Sequence, residues 1–420
     1  MANKIEPKLA WLMCFLAAVF YCYEFILRVL PSVIVPDMMS NLNIGAAQIG
    51  LISSFYYLTY TPLQLFVGTI MDHYGVRWPL SIATILCAIG IYVFAIPTIY
   101  YAKTGMLLVG FGSAFAFVGV LKIASDWLPN RYFALITGLT TTLGMLGATM
   151  GETTITTVIS DCGINYTLSG LSLIGIILTF TIFIFVKDRN VIHANSYLAE
   201  LKKLIKDLLK VAYNGQIWVN GIIGMFLYAP TTTFAGLWGV PYLQMTRGVS
   251  SHEAGTIIST IFIGWILGGP IAGALSTYIR RRRVILRYGS IISGIILISI
   301  IYFPSSSLFI TNLKMFLLGL FSGSEILVFA VAHDIIENKL AGTAVSLTNM
   351  IVMLSGVMQY LIGLTLESLS NVNNINIIQN TFTEHDFQTA FLIMPIGLFV
   401  AYVLSFFLVE SYTIKENEDK

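Results

Sequence analysis

The sequence predicts an all-α membrane protein of twelve transmembrane helices in two six-helix halves, and three observations carry that prediction. Charged residues make up 10% of the 420-residue chain and hydrophobic residues 56%, with a mean hydropathy of +0.82, whereas an average soluble domain is roughly 25% charged. The apolar residues fall in long continuous runs, close to the about 20 residues that cross a bilayer as a helix. They do not fall in strands of about ten alternating residues, which sets a β-barrel aside. Basic residues cluster in every second connector, as they do when connectors alternate between two sides of a membrane.

Each span follows from an apolar run bounded by charges, Pro, or Asn and Gly clusters. The first covers residues 10–35. Lys4 and Lys8 precede it as in a signal peptide, but the run is too long and lacks a small-residue cleavage site, so it is expected to be retained. Pro31 and Pro36 should bend its outer end. Spans two to six are expected at 47–71, 78–97, 104–126, 133–157 and 166–186, and spans seven to twelve at 215–237, 254–278, 284–303, 312–334, 341–365 and 388–410. Gly147 and Gly151 in span five, and Gly264, Gly268 and Gly273 in span eight, are spaced for close helix packing. Trp238 and Tyr242 read as anchors at a membrane interface.

Between the two sets lies a polar stretch containing AELKKLIKDLLKVA. Leu201, Leu204, Ile205, Leu208 and Leu209 recur there at helical spacing opposite Lys202, Lys203, Lys206 and Lys210, the pattern of an amphipathic helix at the membrane surface. The expected organisation is therefore a first half at 1–186, a cytoplasmic linker at 187–214 and a second half at 215–420. With the N-terminus inside, 18 of the 23 Lys and Arg residues are cytoplasmic, Lys103, Arg247 and Lys314 are outside, and Arg28 and Lys122 lie within spans. Both termini are then cytoplasmic and the number of spans is even.

The halves carry an internal repeat. GTIMDHYGVRWPL follows span two and GALSTYIRRRR follows span eight, two short basic turns opened by a glycine. Gly68-x-x-x-Asp72-x-x-Gly75-x-Arg77 resembles the loop signature of the major facilitator superfamily, at the place where that family has it. With twelve spans and a central linker, the resemblance covers essentially the whole chain. It implies a membrane transporter whose halves rock about a midplane site, with this loop as a gating latch in which Asp72 and Arg77 make charge contacts. An ordinary positive-inside turn is the alternative reading. In the second copy Thr277 replaces the acid and Arg280 the second glycine, so a symmetric second latch is not expected.

Ionisable groups inside spans cost about 2.5–3.5 kcal/mol at the bilayer centre. Glu24 and Arg28 in span one are four residues apart and share a helix face. They form either a self-neutralising pair or a site in which Arg28 receives a carboxylate or phosphate as a forked donor, with Glu24 as resting partner or proton carrier. Lys122 in span four either adds a second positive group for substrate or pairs with Asp126 toward the cytoplasm. Glu325, in the run FSGSEILVFA of span ten, suits a proton-coupling role. Tyr56, Tyr57 and Tyr60 in span two, Tyr228 in span seven, and Asn349 and Gln359 in span eleven complete a candidate cavity, with Tyr56, Tyr60, Tyr228 and Asn349 assigned to substrate. His333 and Asp334 read as interface or gate residues, and the role of Glu152 is open.

The expected function is secondary transport of a small polar solute, namely an amino acid, dipeptide or organic anion, coupled to protons. YCYEFILRVLPSVI and AGTAVSLTNM resemble carriers of those solutes within the superfamily. An uncoupled facilitator or exchanger, or a transporter-like receptor, is the alternative, although tails of roughly nine residues offer little room for a signalling appendage. No GxxxxGK[ST] loop points to ATP, and no metal cluster or nucleophile triad points to an enzyme or cofactor. The net charge of +2 gives no sign of a nucleic-acid partner. The four cysteines form no disulfide framework. Partners are thus the solute, protons and the lipid bilayer of a bacterial plasma membrane, around a functional monomer.

Overall fold

The computed structural model describes residues 7–189, 197–372 and 382–410, and every regular element among these residues is helical. Lys4, Lys415 and Lys420 of the topology count, and residues 190–196 of the linker, lie outside the described residues. Nine helices among the described residues are long and apolar enough to cross a membrane, at the places expected for spans one, three, four, six and eight to twelve.

The helices at spans two, five and seven are interrupted, each for a local reason. In span two, Ala46–Leu63 and Val67–Tyr74 meet just after Pro62. Proline has no amide proton, so the ladder tightens there through Leu65 N to Pro62 O (3.3 Å) and Phe66 N to Leu63 O (2.9 Å). Span five breaks at Thr153, between Phe133–Glu152 and Thr154–Cys162, within a run of threonines whose hydroxyls bond back one turn, Thr153 to Thr149 O at 2.8 Å among them. In span seven the helix widens to a π-helix over Pro230–Trp238, because Pro230 again cannot donate.

Span seven also runs on through Gly239–Arg247, beyond its expected end at 237. This overturns the reading of Trp238 and Tyr242 as interface anchors: they are 0% and 1% exposed. Trp238 Nε1 donates to Gln359 O (2.9 Å) and the Tyr242 hydroxyl to Ile300 O (3.1 Å). Tyr242 packs with Phe234, Phe387 and Phe391 at ring separations of 5.4–6.0 Å. Satisfied polar tips allow these large rings to bury completely.

Small residues set the helix crossings. A methyl added at Gly264, Gly268 or Gly319 would overlap the carbonyl of Phe316, Leu320 or Ile261, so the backbones of spans eight and ten touch. Gly147 lies likewise against the Cys22 carbonyl. Gly273 does not share this role: a Cβ built on it would have no neighbour within 4 Å.

The chain forms two compact units. Unit 1 contains Met1–Leu30 and Phe55–Leu204, and unit 2 contains Pro31–Ser54 and Ile205–Lys420. The change of unit after Leu30 falls beside Pro31, three residues before the helix Pro7–Val33 gives way at Ile34 to Val35–Leu42.

Candidate functional site

In unit 1 the helical spacing of Glu24 and Arg28 meets Tyr56 of span two. Arg28 Nη2 donates to both carboxylate oxygens of Glu24, at 2.9 and 3.2 Å, and Arg28 Nε donates to the Tyr56 hydroxyl at 2.9 Å. That hydroxyl donates in turn to Glu24 Oε2 at 3.0 Å, closing a triangle. Glu24 is 0% exposed and Arg28 6%. The guanidinium lies 4.2 Å from the Phe25 ring and 5.2 Å from both Tyr56 and Tyr60, which stack on each other at 5.4 Å. These rings add cation–π contacts to the hydrogen bonds of the guanidinium.

The flanking contacts explain the fit. The Tyr23 hydroxyl donates to Leu171 O (2.9 Å), fixing the rotation of span one against span six. Gly110 lies against the Tyr56 carbonyl with no room for a Cβ, which draws span four onto span two. Together these bury a fork donor, a carboxylate and a phenol among packed helices, where an ion pair holds its charge only while both partners are present.

Lys122 is not part of this cluster. It reaches Asp72 at 2.7 Å and Asp126 at 3.4 Å, both partly solvated, so the structure places it with the loop signature. Asp72 pairs with Lys122 and not with Arg77, while Arg77 Nε donates to Phe183 O (2.8 Å) and lies over the Phe183 ring at 4.2 Å. Gly75 has φ +80, a conformation that favours glycine, and the Asp188 carboxylate occupies the space where its Cβ would be. Asp188 accepts from the amides of Val76 (2.6 Å) and Arg77 (3.0 Å), capping the helix Arg77–Phe94. Gly68 has nothing within 4 Å of a built Cβ, so no close approach requires it. His73 Nδ1 stands 3.2 Å from Glu200 of the linker helix Tyr197–Ala212.

Unit 2 repeats this arrangement more fully than the sequence indicated. Arg280, at the place of the second glycine, takes φ +53. Glu410 accepts from the amides of Arg282 (2.9 Å) and Arg283 (3.3 Å), as Asp188 does in unit 1, and Arg282 pairs with Asp334 at 2.6 Å. The equivalence of Asp188 and Glu410, each an acid just after the last apolar run of a half, was legible in VKDR and VESY but only with the pairing in view.

Deeper in unit 2, Glu325 lies in the tight turn Gly323–Ile326 and is 2% exposed. Among the described residues no hydrogen bond or ion pair reaches its carboxylate. Tyr228 is buried and Asn349 partly exposed. Gln359 donates to Thr232 O (2.7 Å) and the Thr232 hydroxyl to Ser355 (2.9 Å). The Thr232 and Ser355 contacts escaped the sequence reading because they join two helices far apart in the chain. Glu152 is fully buried in unit 1. No group of three His, Cys, Asp or Glu gathers to hold a metal among the described residues.

Helical spans, crossings through glycine, a doubled loop and buried charges define a multi-pass integral membrane protein of the carrier class. The family model for the Major Facilitator Superfamily matches residues 13–359, and the chain belongs to that superfamily, which groups it with transporters and not enzymes. It is 23% identical over 279 residues to "Uncharacterized transporter YybO" of Bacillus subtilis, covering 60% of this chain and 61% of that protein. It is 23% identical over 294 residues to the "Lysosomal dipeptide transporter MFSD1" of Homo sapiens, covering 63% and 59%. The matches therefore span about three fifths of these relatives' length. The fold superposes on a bacterial homolog to the human lysosomal transporter Spinster with a TM-score of 0.75, at 13% identity over 96% of this chain and 97% of that one.

Proposed function

We propose that the chain is a secondary transporter that carries a small polar solute with an anionic group, an amino acid, dipeptide or organic anion, by alternating access with proton coupling. The observation that carries this reading is the buried Glu24–Arg28–Tyr56 triangle. A proton on Glu24 cancels the charge that occupies Arg28, and the freed fork then takes a solute carboxylate in its place. Proton and anion thereby favour each other's binding, and loss of either favours loss of the other. Tyr56 and Tyr60 line the exchange. Glu325, buried without a counter-charge, is the second proton carrier. A relative named as a dipeptide transporter supports the zwitterionic end of the solute range.

Asp72, Lys122 and Asp126, with Gly68, Gly75 and Arg77, form the cytoplasmic gate in this reading. Lys122 acts there and not on the solute. The protein works as a monomer in a bacterial plasma membrane with both termini cytoplasmic. A thermal-shift screen of purified protein against amino acids, dipeptides and carboxylates identifies the solute, because a ligand of the folded state raises its stability. Proteoliposome uptake of that solute, with and without a pH gradient, tests the rest. Arg28→Ala abolishes uptake while the protein remains in the membrane, and unchanged uptake by that variant removes Arg28 from the site.

A further inference from the structure

Unit 2 holds a further pair of cations where spans seven, nine and ten have their ends. Arg247 is the last residue of the helix Gly239–Arg247, and Lys314 stands in the second turn of the helix Leu308–Ser322. Both are partly buried and line one pocket with Tyr242, Thr246, Ser305 and Thr311. Lys314 Nζ donates to Ser299 O and Phe303 O, each at 2.8 Å, and so caps the end of the span-nine helix Arg282–Tyr302. Arg247 Nη2 donates to Ser305 O and Thr311 Oγ1. Among the described residues no carboxylate pairs with either cation. The acids near these span ends are taken elsewhere: Glu253 accepts from Ser250 N (2.9 Å), Glu384 from Gln388 Nε2 (3.1 Å) and Asp386 from Thr383 N (2.8 Å). Residues 373–381, outside the described residues, read NNINIIQNT and hold no acid.

We infer that Arg247 and Lys314 form a binding site for a phosphate-type oxyanion, carried on a phospholipid headgroup or free in solution. The inference does not rest on the transporter reading. Lys314 by itself satisfies the helix end, so a second cation in the same pocket brings a repulsion that an anion relieves. Donors also remain. Arg247 bonds through Nη2 alone, which leaves Nε and Nη1 without an acceptor among the described residues, and Lys314 keeps one ammonium hydrogen. A guanidinium fork beside a point charge suits a phosphate, which has oxygens to share between them. The cavity measures about 10 Å³, room for one atom of a water's size. An anion therefore seats one oxygen there and leaves its remainder outside, as a headgroup does. Phe303, Leu308 and Phe309, in the adjoining connector and helix start, are exposed, an apolar surface of the kind that acyl chains cover.

Thermal unfolding of the purified full chain in detergent tests the site with two probes. Inorganic phosphate is compared with chloride at equal ionic strength, and dioleoylphosphatidylglycerol with dioleoylglycerol, which has the same tails without the phosphate. At about ten times its half-effect concentration, a probe that fills the site should raise the wild-type melting temperature by about 2 °C. The rise should vanish when Arg247→Gln is combined with Lys314→Gln and shrink in Lys314→Gln alone. It should persist when Lys206→Gln is combined with Lys210→Gln, which removes charge from the linker helix instead. A rise with inorganic phosphate supports the site with a free oxyanion as sufficient ligand, and a rise with phosphatidylglycerol alone supports it with a lipid headgroup as the source. Wild type that responds to neither probe overturns the inference without any variant. So does a rise that survives the paired change at Arg247 and Lys314, or one lost equally in the Lys206 and Lys210 variant.

Discussion

Replacing Arg28 by Gln strands a buried acid, and the size of the penalty follows from the geometry. The change removes Nη2 bonds of 2.9 and 3.2 Å to Glu24 and the Nε bond of 2.9 Å to Tyr56, and leaves a carboxylate that is 0% exposed without its cation. Breaking a buried ion pair from one side costs about 3–5 kcal/mol, roughly two to nearly four decades in an equilibrium constant at 1.36 kcal/mol per decade. The paired change Glu24→Gln with Arg28→Gln leaves no charge behind and should recover most of that loss, since neutral replacement of a buried pair is often close to neutral in stability. Thermal unfolding in detergent reads the difference through the thiols of Cys14 and Cys87, which are free and buried in the native state and become reactive on unfolding. The order expected is wild type, then the double variant, then Arg28→Gln. A double variant no more stable than Arg28→Gln, or an Arg28→Gln protein as stable as wild type, refutes the view that these two groups hold each other's charge.

Glu325→Gln should abolish accumulation driven by a pH gradient while leaving solute exchange intact, and an unchanged pH dependence of uptake removes Glu325 from coupling. Lys122→Ala should change exchange rate up to about fivefold through a gate contact worth about 1 kcal/mol or less. The solute's thermal shift should be unaltered; a lost thermal shift would return Lys122 to the solute site. Gly264→Ala should cost about 1–3 kcal/mol by overpacking against Phe316 O, while Gly273→Ala, with open space around it, should leave the melting temperature within a degree or so of wild type. Equal effects of the two refute the crossing described for spans eight and ten.

Apolar run length located the spans because a bilayer demands it, and the i, i+4 spacing of Glu24 and Arg28 located their pairing because one helix suffices to make it. What needed the fold was every contact between helices. Tyr56 was one of several tyrosines until span two was set beside span one. Lys122 was ambiguous between two ends of a helix until Asp72, fifty residues earlier, came within 2.7 Å. Trp238 and Tyr242 looked like interface residues because aromatic composition does not reveal that a π-helix carries span seven onward into the core. Asp188 and Glu410 were ordinary charges at span ends until the amides of the facing loops were seen against them.

The central claim is that proton and anion exchange at the Glu24–Arg28–Tyr56 triangle. Its most direct test is uptake, into proteoliposomes with an imposed acid-outside gradient, of the carboxylate solute that most stabilises the protein, compared between wild type and Glu24→Gln. Wild type should accumulate the solute above its external concentration and lose that accumulation when the gradient is collapsed, while Glu24→Gln exchanges solute without responding to the gradient. Gradient-driven accumulation by Glu24→Gln equal to that of wild type would contradict the account.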